Sequence, residues 1–277
     1  MSSDRPASGL GAIHVVTARN RVNWNRIAPK REGEPASLFR GGGSTLAEYE
    51  RELAGEVAGK RVLHLACSVG DEVLSWANLG AHAIGADISD VAIAKARSKA
   101  AAAGIDAEFH RADMFDLPSS LTGLDLIYLS WGAICWAPDL DTLAAVIAER
   151  LRPGGSVLIS DHHPLWEVLT VAGENQLTVT GDYFGRTTPR NSPDAAKQPI
   201  GARKQSDAGH PVAEDGVPPF AAFVWPVSDV VMSLVRAGFR LDAFFEAAEP
   251  AIYPGLGDAG LLVPAYYVVK ATRQDSA

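Results

Sequence analysis

The sequence predicts an α/β domain with a seven-stranded, mostly parallel sheet that carries helices on both faces. From residue 61 onward, short apolar runs alternate with longer segments of helical periodicity, which is typical of parallel strands joined by crossover helices. The chain has 277 residues, 47% of them hydrophobic, which is enough for one large core. We therefore expect one domain with additions rather than two domains.

Five apolar runs are predicted as the parallel strands, at residues 61–66, 83–87, 107–110, 124–129 and 156–160. The helices between them have clear ends. A helix over 72–78 stops at Gly80, and Ser89 is a suitable cap for a helix that runs to Ala103 and stops at Gly104. A further helix over 141–151 precedes a Pro-Gly-Gly turn at 153–155.

Beyond the fifth strand the regular alternation is lost. Residues 183–219 are rich in Gly, Pro and charged residues and have no sustained period, so they are interpreted as a long insertion. Regularity returns in a helix at 228–237 and in two final strands at 240–246 and 265–271.

Composition limits the partners. The 25 basic and 33 acidic residues give a net charge of −8, which disfavours nucleic acid. The only two cysteines, Cys67 and Cys135, lie in apolar stretches and are interpreted as reduced core thiols. The first ten residues lack the pattern of a signal peptide, and no segment has the ~20 apolar residues of a membrane span. We expect a cytoplasmic protein without nucleic-acid or membrane partners, and leave open a homodimer.

The turn after the first predicted strand contains small residues, Ala66, Cys67, Ser68 and Gly70, where a ligand can approach backbone N–H groups. A dinucleotide fingerprint would need Gly at 66 and 68 and Gly or Ala at 71. Asp71 stands there instead, at a helix start, and its carboxylate would repel a pyrophosphate. This turn predicts a nucleotide-type ligand without a pyrophosphate.

Acidic residues follow the second and third predicted strands. Asp87, followed by Ile88, closes the second strand and can accept hydrogen bonds from both hydroxyls of a ribose. Asp113 can accept from an adenine amino group, and the thioether of Met114 can pack on the adenine face. The pair Asp113 and Met114 is not required by a dinucleotide site.

The motifs at 62–70 (Val-Leu-His-Leu-Ala-Cys-Ser-Val-Gly), 85–89, 112–114 and 151–155 resemble, in order, those of class I S-adenosylmethionine-dependent methyltransferases. More narrowly, the chain is similar to a bacterial small-molecule branch with a Leu-His-Leu-Gln-Cys first motif and a later Cys-Trp-x-Pro-Asp segment, here at 135–139. The resemblance covers residues 38–165 well. It implies a Rossmann-like fold, S-adenosylmethionine as cofactor and S-adenosylhomocysteine as product. His64 stands where the family has an acidic residue, and Ala66 and Ser68 where it has glycines.

With this resemblance the single domain of 1–277 divides into four parts. Residues 1–60 are an N-terminal cap, 61–163 the cofactor-binding core, 164–226 an insertion or lid, and 227–277 a C-terminal helix with a strand pair. In the cap, Arg40 is predicted to pair with the methionine carboxylate of the cofactor, the alternative being a surface arginine on a flexible linker. Trp24 is predicted to close the pocket, or else to pack its own helix.

The acceptor side is expected at the carboxyl ends of the fourth and fifth strands. Ser130 is predicted to contact the cofactor there, and Trp131 and Trp136 to hold a planar or cationic acceptor. His162 and Tyr183 are further predicted acceptor contacts, although His162 is also interpreted as a structural residue on the opposite side of its strand.

His163 is the predicted general base, because imidazole titrates near neutral pH and Pro164 restricts its backbone. We expect no metal centre. A site built from Asp161, His162 and His163 would lack a ligand, since adjacent strand residues face apart.

The sequence therefore predicts transfer of a methyl group to an oxygen or nitrogen of a small, possibly aromatic metabolite. Such a transfer mainly needs alignment and exclusion of water. Two alternatives remain: a cofactor-retaining protein or enzyme that does not methylate, and a nicotinamide-dependent oxidoreductase on the same kind of sheet.

Overall fold

The computed structural model describes residues 9–185 and 219–274. The strands are β1 (Arg61–Leu65), β2 (His82–Asp87), β3 (Glu108–Arg111), β4 (Leu124–Ser130), β5 (Leu151–His162), β6 (Leu169–Gly173), β7 (Gln176–Val179), β8 (Phe239–Ala247) and β9 (Tyr266–Arg273). The helices are α1 (Leu10–Ile27), α2 (Ala36–Arg40), α3 (Glu48–Ala54), α4 (Asp71–Asn78), α5 (Asp90–Ala103), α6 (Leu140–Arg150), α7 (Leu165–Val168) and α8 (Val227–Arg236).

Seven strands form the main sheet, in the order β3-β2-β1-β4-β5-β9-β8. The first five strands pair in parallel, and β9 runs antiparallel between β5 and β8. The predicted fold class is thereby confirmed. The strand order changes direction between β1 and β4, and in open parallel sheets the crevice at such a switch point receives the ligand.

Two apolar cores cover the two faces of this sheet. Leu63 and Leu65 of β1 pack into the core that contains residues of α6 and α8, whereas Val62 packs into the core of α4 and α5. The alternation follows from the two-residue side-chain period of a strand. Both faces are apolar because both carry helices, which explains the nearly continuous apolar run of β4.

Two local features differ from the expected elements. The predicted turn at 153–155 belongs to β5 itself, whose pairing with β4 shifts register between Leu124 and Leu126. The insertion begins with α7 and a hairpin of β6 and β7, which forms a separate two-stranded sheet. The rest of the predicted insertion, residues 186–218, lies outside the described residues. Within the described ranges, no helix is long and apolar enough to span a membrane.

Candidate active site

A cleft of about 870 Å³ opens at the carboxyl ends of β1, β2, β3 and β4, with α1 on its other side. A neighbouring cavity of about 520 Å³ lies around the turn between β1 and α4. Most of the residues predicted from the sequence line the first cleft: Trp24, Ala66, Ser68, Asp87, Ile88, Asp113, Met114, Ser130, Trp131 and Trp136. Cys67 and Gly70 line the second cavity, and Ala66, Ser68, Ser130 and Trp131 line both.

The turn after β1 adopts a left-handed backbone at three positions. The φ angles are 58° at Ala66, 49° at Ser68 and 87° at Gly70. A Cβ at Gly70 would lie 3.0 Å from the Ala96 methyl and from the Phe109 ring, so the position needs glycine. Ala66 and Ser68 instead tolerate a conformation that costs L-residues about 1–2 kcal/mol each. Their small side chains still leave room for the turn.

Asp87 is held by two backbone amides at the end of β2. Its Oδ2 accepts from Ser68 N at 2.9 Å, and its Oδ1 accepts from Ser89 N at 2.8 Å. Burial raises the pKa of Asp87, while these two N–H groups and the charge of Arg31 act in the opposite direction. The carboxylate is thus fixed in orientation on the wall of the cleft, where it can accept from ligand hydroxyls.

Asp113 lies at the other side of the same wall. Its Oδ1 accepts from Phe115 N at 3.0 Å, and its Oδ2 lies 3.5 Å from His14 Nδ1 of α1. Met114 follows it on the cleft surface. The second and third strands therefore present a carboxylate each, as their sequence positions predict.

Arg31 is the arginine that lines both cavities. Its guanidinium carbon lies 5.0 Å from the centre of the Trp24 ring, within the range of a cation–π contact. Burial lowers the pKa of Arg31, whereas the charges of Asp87 and Glu72 raise it. A guanidinium in this position can form a two-pronged bond to a ligand carboxylate.

Two lysines of α5 hold the loop that carries Arg31. Lys95 Nζ donates to Arg31 O at 2.7 Å and to Pro29 O at 2.8 Å. Lys99 pairs with Asp71 and donates to Glu32 O at 2.9 Å. The contact between Lys99 and Asp71 also balances the carboxylate charge at the start of α4, so repulsion of a pyrophosphate by Asp71 is weaker than the sequence indicates.

At Gly33 the backbone of this loop packs closely against Asp71 of α4 and Lys99 of α5. Its φ is 64°, and a Cβ there would overlap the carboxylate of Asp71 and approach Lys99 Nζ to 2.8 Å. Asp71 Oδ2 accepts from Glu34 N at 2.7 Å. Any side chain at position 33 would push the Arg31 loop away from α4.

Arg40, which is predicted to pair with the methionine carboxylate, lies away from both cavities. Its guanidinium donates to the carbonyl of Ala102 near the end of α5, and the side chain lines neither cavity. Both arginines precede glycine-containing segments, at 33 and at 41–43. Nothing in the local sequence distinguishes them, because the choice depends on which loop α5 holds over the sheet.

Two buried titratable groups line the second cavity. The pKa of Glu72 rises to about 7, first because of burial and then because of the neighbouring charge of Asp71. His64 Nε2 lies 3.0 Å from Ser130 Oγ, and burial lowers the pKa of His64 to about 3. Its Nδ1 is buried without a hydrogen-bond partner among the described residues. An unsatisfied buried nitrogen beside a cavity points to a polar ligand group there.

Helix α1 and the loop after β4 line the other half of the cleft, and residues 219–225 pack against both. The amide of Asn20 forms two bonds to Ala221: Asn20 Nδ2 donates to the carbonyl and Oδ1 accepts from the N–H, each at 2.8 Å. Trp24, Trp136 and Phe220 form an aromatic triangle with ring centres 5.1 to 5.2 Å apart. Sequence reasoning found both tryptophans but missed Asn20, whose partner is 201 residues away.

The histidines after β5 do not face the cleft. His163 Nε2 lies 2.9 Å from Glu246 Oε1 of β8, and its Nδ1 accepts from Leu165 N at 3.2 Å. Both ring nitrogens are thus engaged away from the cleft, and the structure does not bring the predicted general base to it. Tyr183 stacks on His163 with ring centres 6.4 Å apart and its hydroxyl accepts from Val227 N, so Tyr183 does not line the cleft either.

His162 is also outside the cleft, as its structural interpretation requires. It is 5% exposed, and its two nitrogens face Asp161 Oδ1 at 3.1 Å and Glu167 Oε1 at 3.2 Å. Burial alone would lower the pKa of His162, but the two carboxylates outweigh it and raise the pKa to about 10. The structure therefore does not bring His162, a predicted acceptor contact, to the cleft.

Residues 62–155 match the family model of a methyltransferase domain. A ubiquinone biosynthesis O-methyltransferase of Aromatoleum aromaticum is 28% identical over 51% of this chain and 58% of its own length. A demethylmenaquinone methyltransferase of Thermus thermophilus is 33% identical over 51% of this chain and 64% of its own length. The match thus spans less than two thirds of these relatives.

A solved S-adenosylmethionine-dependent methyltransferase of Mesorhizobium loti has the same fold. Its TM-score is 0.60 at 23% identity, over 83% of this chain and 99% of that one. The sheet order and the cleft at its switch point define the class of Rossmann-like, ligand-binding α/β proteins. Within that class, residues 62–155 match the methyltransferase-domain model, and the solved methyltransferase shares the fold.

Proposed function

We propose that the whole protein transfers the methyl group of S-adenosylmethionine to an oxygen or nitrogen of a small, ring-bearing metabolite. One observation carries the proposal. A single cleft joins the carboxylates of Asp87 and Asp113 to a wall that includes Trp24, Trp131 and Trp136. Groups suited to the cofactor and a surface suited to a planar acceptor thus share one cleft.

The residues of the two cavities suit the separate parts of the cofactor. Asp87 suits the ribose hydroxyls, and Asp113 with Met114 suits the adenine. Arg31 suits the methionine carboxylate, and Glu72 its ammonium group. The unpartnered Nδ1 of His64 supports a polar group in the second cavity. When bound, the cofactor supplies an electrophilic methyl group on a sulfonium.

The protein's own contribution is positioning and exclusion of water. Among the described residues that line the first cleft there is no imidazole, and Thr17, Asn20 and Ser130 supply uncharged polar groups beside the tryptophans. Alignment alone can supply several kcal/mol of a barrier, of the order of 7–11 in the best cases. The site therefore favours acceptors that lose their proton without a protein base, such as amines or acidic hydroxyls.

The names of two relatives agree with a ring-bearing acceptor, since they refer to ubiquinone biosynthesis and to demethylmenaquinone. The aromatic triangle of Trp24, Trp136 and Phe220 gives this chain flat apolar surfaces of the kind that stack on rings. A cytoplasmic location, a homodimer and the lack of a nucleic-acid partner stay predictions. The free cysteines support the cytoplasmic location. The net charge of −8 supports the lack of a nucleic-acid partner.

A methylation screen tests this function. Purified protein is incubated with methyl-labelled S-adenosylmethionine and a panel of phenols, hydroquinones and arylamines. The expected result is S-adenosylhomocysteine formation coupled to an acceptor heavier by one methyl group, with Asp87→Asn protein as the matched control. Tight cofactor binding without methylated product from any ring class would contradict the proposed acceptor and favour a non-methylating protein.

A further inference from the structure

A second cluster of chemically reactive side chains lies on the other side of the loop that follows β4. It consists of Cys135, His162 and Glu167, which come from that loop, from the end of β5 and from α7. One ligand atom of each lies within 4.8 Å of the other two. A cleft of about 260 Å³ touches all three residues and is separate from the two cavities described above. The methyltransfer site does not use this cluster.

The surroundings of His162 fix which nitrogen faces the cluster. Its Nδ1 lies 3.1 Å from Asp161 Oδ1, and its Nε2 lies 3.2 Å from Glu167 Oε1. Asp161 is itself held by the backbone N–H groups of Gly132 and of Ile134, the latter at 2.9 Å. Asp161 thus lies beside Nδ1 without an aligned hydrogen bond, and Nε2 is directed at Glu167. A carboxylate near the second ring nitrogen is common behind histidines that ligate metals.

We propose that Cys135 Sγ, His162 Nε2 and a Glu167 carboxylate oxygen bind one transition-metal ion, Zn²⁺ first of all, with a fourth position open to the cleft. A set of one thiolate, one imidazole and one carboxylate suits Zn²⁺ and not Mg²⁺ or Ca²⁺, which prefer oxygen ligands alone. The sequence does not indicate this site, because Cys135 lies 27 residues before His162 and Glu167 lies 5 residues after it, a spacing that matches no common metal motif. The adjacent His163 contacts Glu246 and takes no part in the cluster.

The metal would act on the shape of the acceptor cleft and take no part in the methyl transfer. Cys135 belongs to the same loop as Trp131 and Trp136, which line that cleft. A bond from Cys135 to His162 and Glu167 would tie this loop to β5 and α7. Bound metal should therefore raise the thermal stability of the protein. This inference does not depend on the methyl transfer itself.

Metal binding is measured on tag-free, full-length protein that has been stripped with a chelator and then titrated with Co²⁺ and with Zn²⁺. The expected result is one metal per chain after dialysis, a thiolate-to-cobalt charge-transfer band and the visible bands of tetrahedral cobalt. Cys135→Ser and Glu167→Gln should each weaken Zn²⁺ binding at least about 100-fold. Asp161→Asn should weaken it about 10- to 100-fold, as is usual for partners behind a ligating histidine.

The matched control is His82→Gln, at the exposed start of β2, which should bind metal like the wild type. A proton on His162 can balance the charges of Asp161 and Glu167 in place of a metal ion. The metal titration distinguishes these two cases, because only the second gives a bound ion. No stoichiometric metal on the wild type, or cobalt spectra without the thiolate band, would overturn the proposal. So would equal binding by folded Cys135→Ser and Glu167→Gln proteins. The wild-type spectrum decides the matter even if a variant does not fold.

Discussion

The two halves of the main cleft are built in different ways. On the half that we propose binds the cofactor (the cofactor half), carboxylates at the ends of β2 and β3 are held by amides close to them in the chain, such as Ser89 N for Asp87 and Phe115 N for Asp113. On the half that we propose binds the acceptor (the acceptor half), the walls come from α1 and the loop after β4, and residues 219–225 pack against them. Asn20 there bonds to Ala221, 201 residues away.

This difference explains what each half can tolerate. The residues of the cofactor half directly follow strands of the sheet, so formation of the sheet sets their positions. The acceptor half depends on contacts between segments that share no local signal, and these contacts can change without affecting the sheet. We therefore expect substitutions on the cofactor half to change cofactor affinity, and substitutions on the acceptor half to change acceptor use.

The largest effect on binding is expected from Asp87→Asn. The amide cannot accept from Ser68 N, Ser89 N and a ligand hydroxyl together, and hydrogen bonds to a charged group contribute about 1.5–3 kcal/mol. S-adenosylhomocysteine affinity should fall about 10- to 100-fold in a calorimetric titration. Asp125→Asn serves as the control, because Asp125 lies at the start of β4, at the end of the strand away from the cleft. Unchanged affinity for Asp87→Asn would remove Asp87 from the site.

A paired comparison of Arg31→Met and Arg40→Met sharpens the assignment of the cap. Arg31 lines both cavities, whereas Arg40 is bonded to Ala102 outside them. Arg31→Met should weaken cofactor binding about 10-fold, the scale of one charge-assisted interaction, and Arg40→Met should leave it within about twofold. The reverse ranking would restore the role that the sequence assigns to Arg40.

Glu72 predicts a pH dependence of cofactor binding. The pKa of Glu72 is raised to about 7, so below that pH the free protein holds it mainly protonated and binding of an ammonium group must release the proton. Affinity should therefore rise between pH 6 and 8 by about 3- to 10-fold, as linkage to one group allows. Glu72→Gln should flatten this dependence. If cofactor affinity of the Glu72→Gln protein changed with pH as steeply as that of the wild type, the pH dependence would belong to another group.

On the acceptor half, Asn20→Ala removes both bonds between α1 and Ala221. Each buried bond contributes about 1 kcal/mol, so kcat/KM for the acceptor should fall about 5- to 30-fold while cofactor affinity changes less. Comparison of the two parameters in the same preparation is the check. An equal loss in both would mean that α1 acts on the whole cleft rather than on the acceptor half.

The smallest effect on turnover is expected from His163→Asn. Both nitrogens of His163 are engaged by Glu246 and Leu165 N, away from the cleft. Turnover should change less than about 10-fold, below the 10²- to 10⁴-fold of a general base, and the pH profile should keep its shape. Thermal stability should fall, because His163 is buried and its bonds to Glu246 and Leu165 N are lost. A loss beyond 100-fold with an altered pH profile would return His163 to the mechanism.

These contrasts also show how much the sequence can predict. The sheet and the residues Ala66, Asp87 and Asp113, predicted to contact the cofactor, follow from apolar runs and from residues placed directly after them, and the structure brings them to one cleft. Trp24 lines this cleft as well, which is one of the two placements that its sequence position allows.

The failures share a physical cause. Arg31 instead of Arg40 is selected by the lysines of α5, and His163 is turned away by a carboxylate on β8, 83 residues later. Glu72 was missed because its pKa depends on burial beside Asp71, which the sequence does not reveal. Each of these outcomes depends on packing between distant elements, which periodicity does not report.

The most direct test of the central claim is a calorimetric titration of the purified protein with S-adenosylhomocysteine and, separately, with NADH. We expect one S-adenosylhomocysteine per chain, with weaker binding in Asp87→Asn and Arg31→Met proteins and unchanged binding in Arg40→Met protein. We expect no binding of NADH, because the turn after β1 has Ala66 and Ser68 where a dinucleotide site has glycines, and Asp71 at the start of α4. Binding of NADH without binding of S-adenosylhomocysteine would contradict the account.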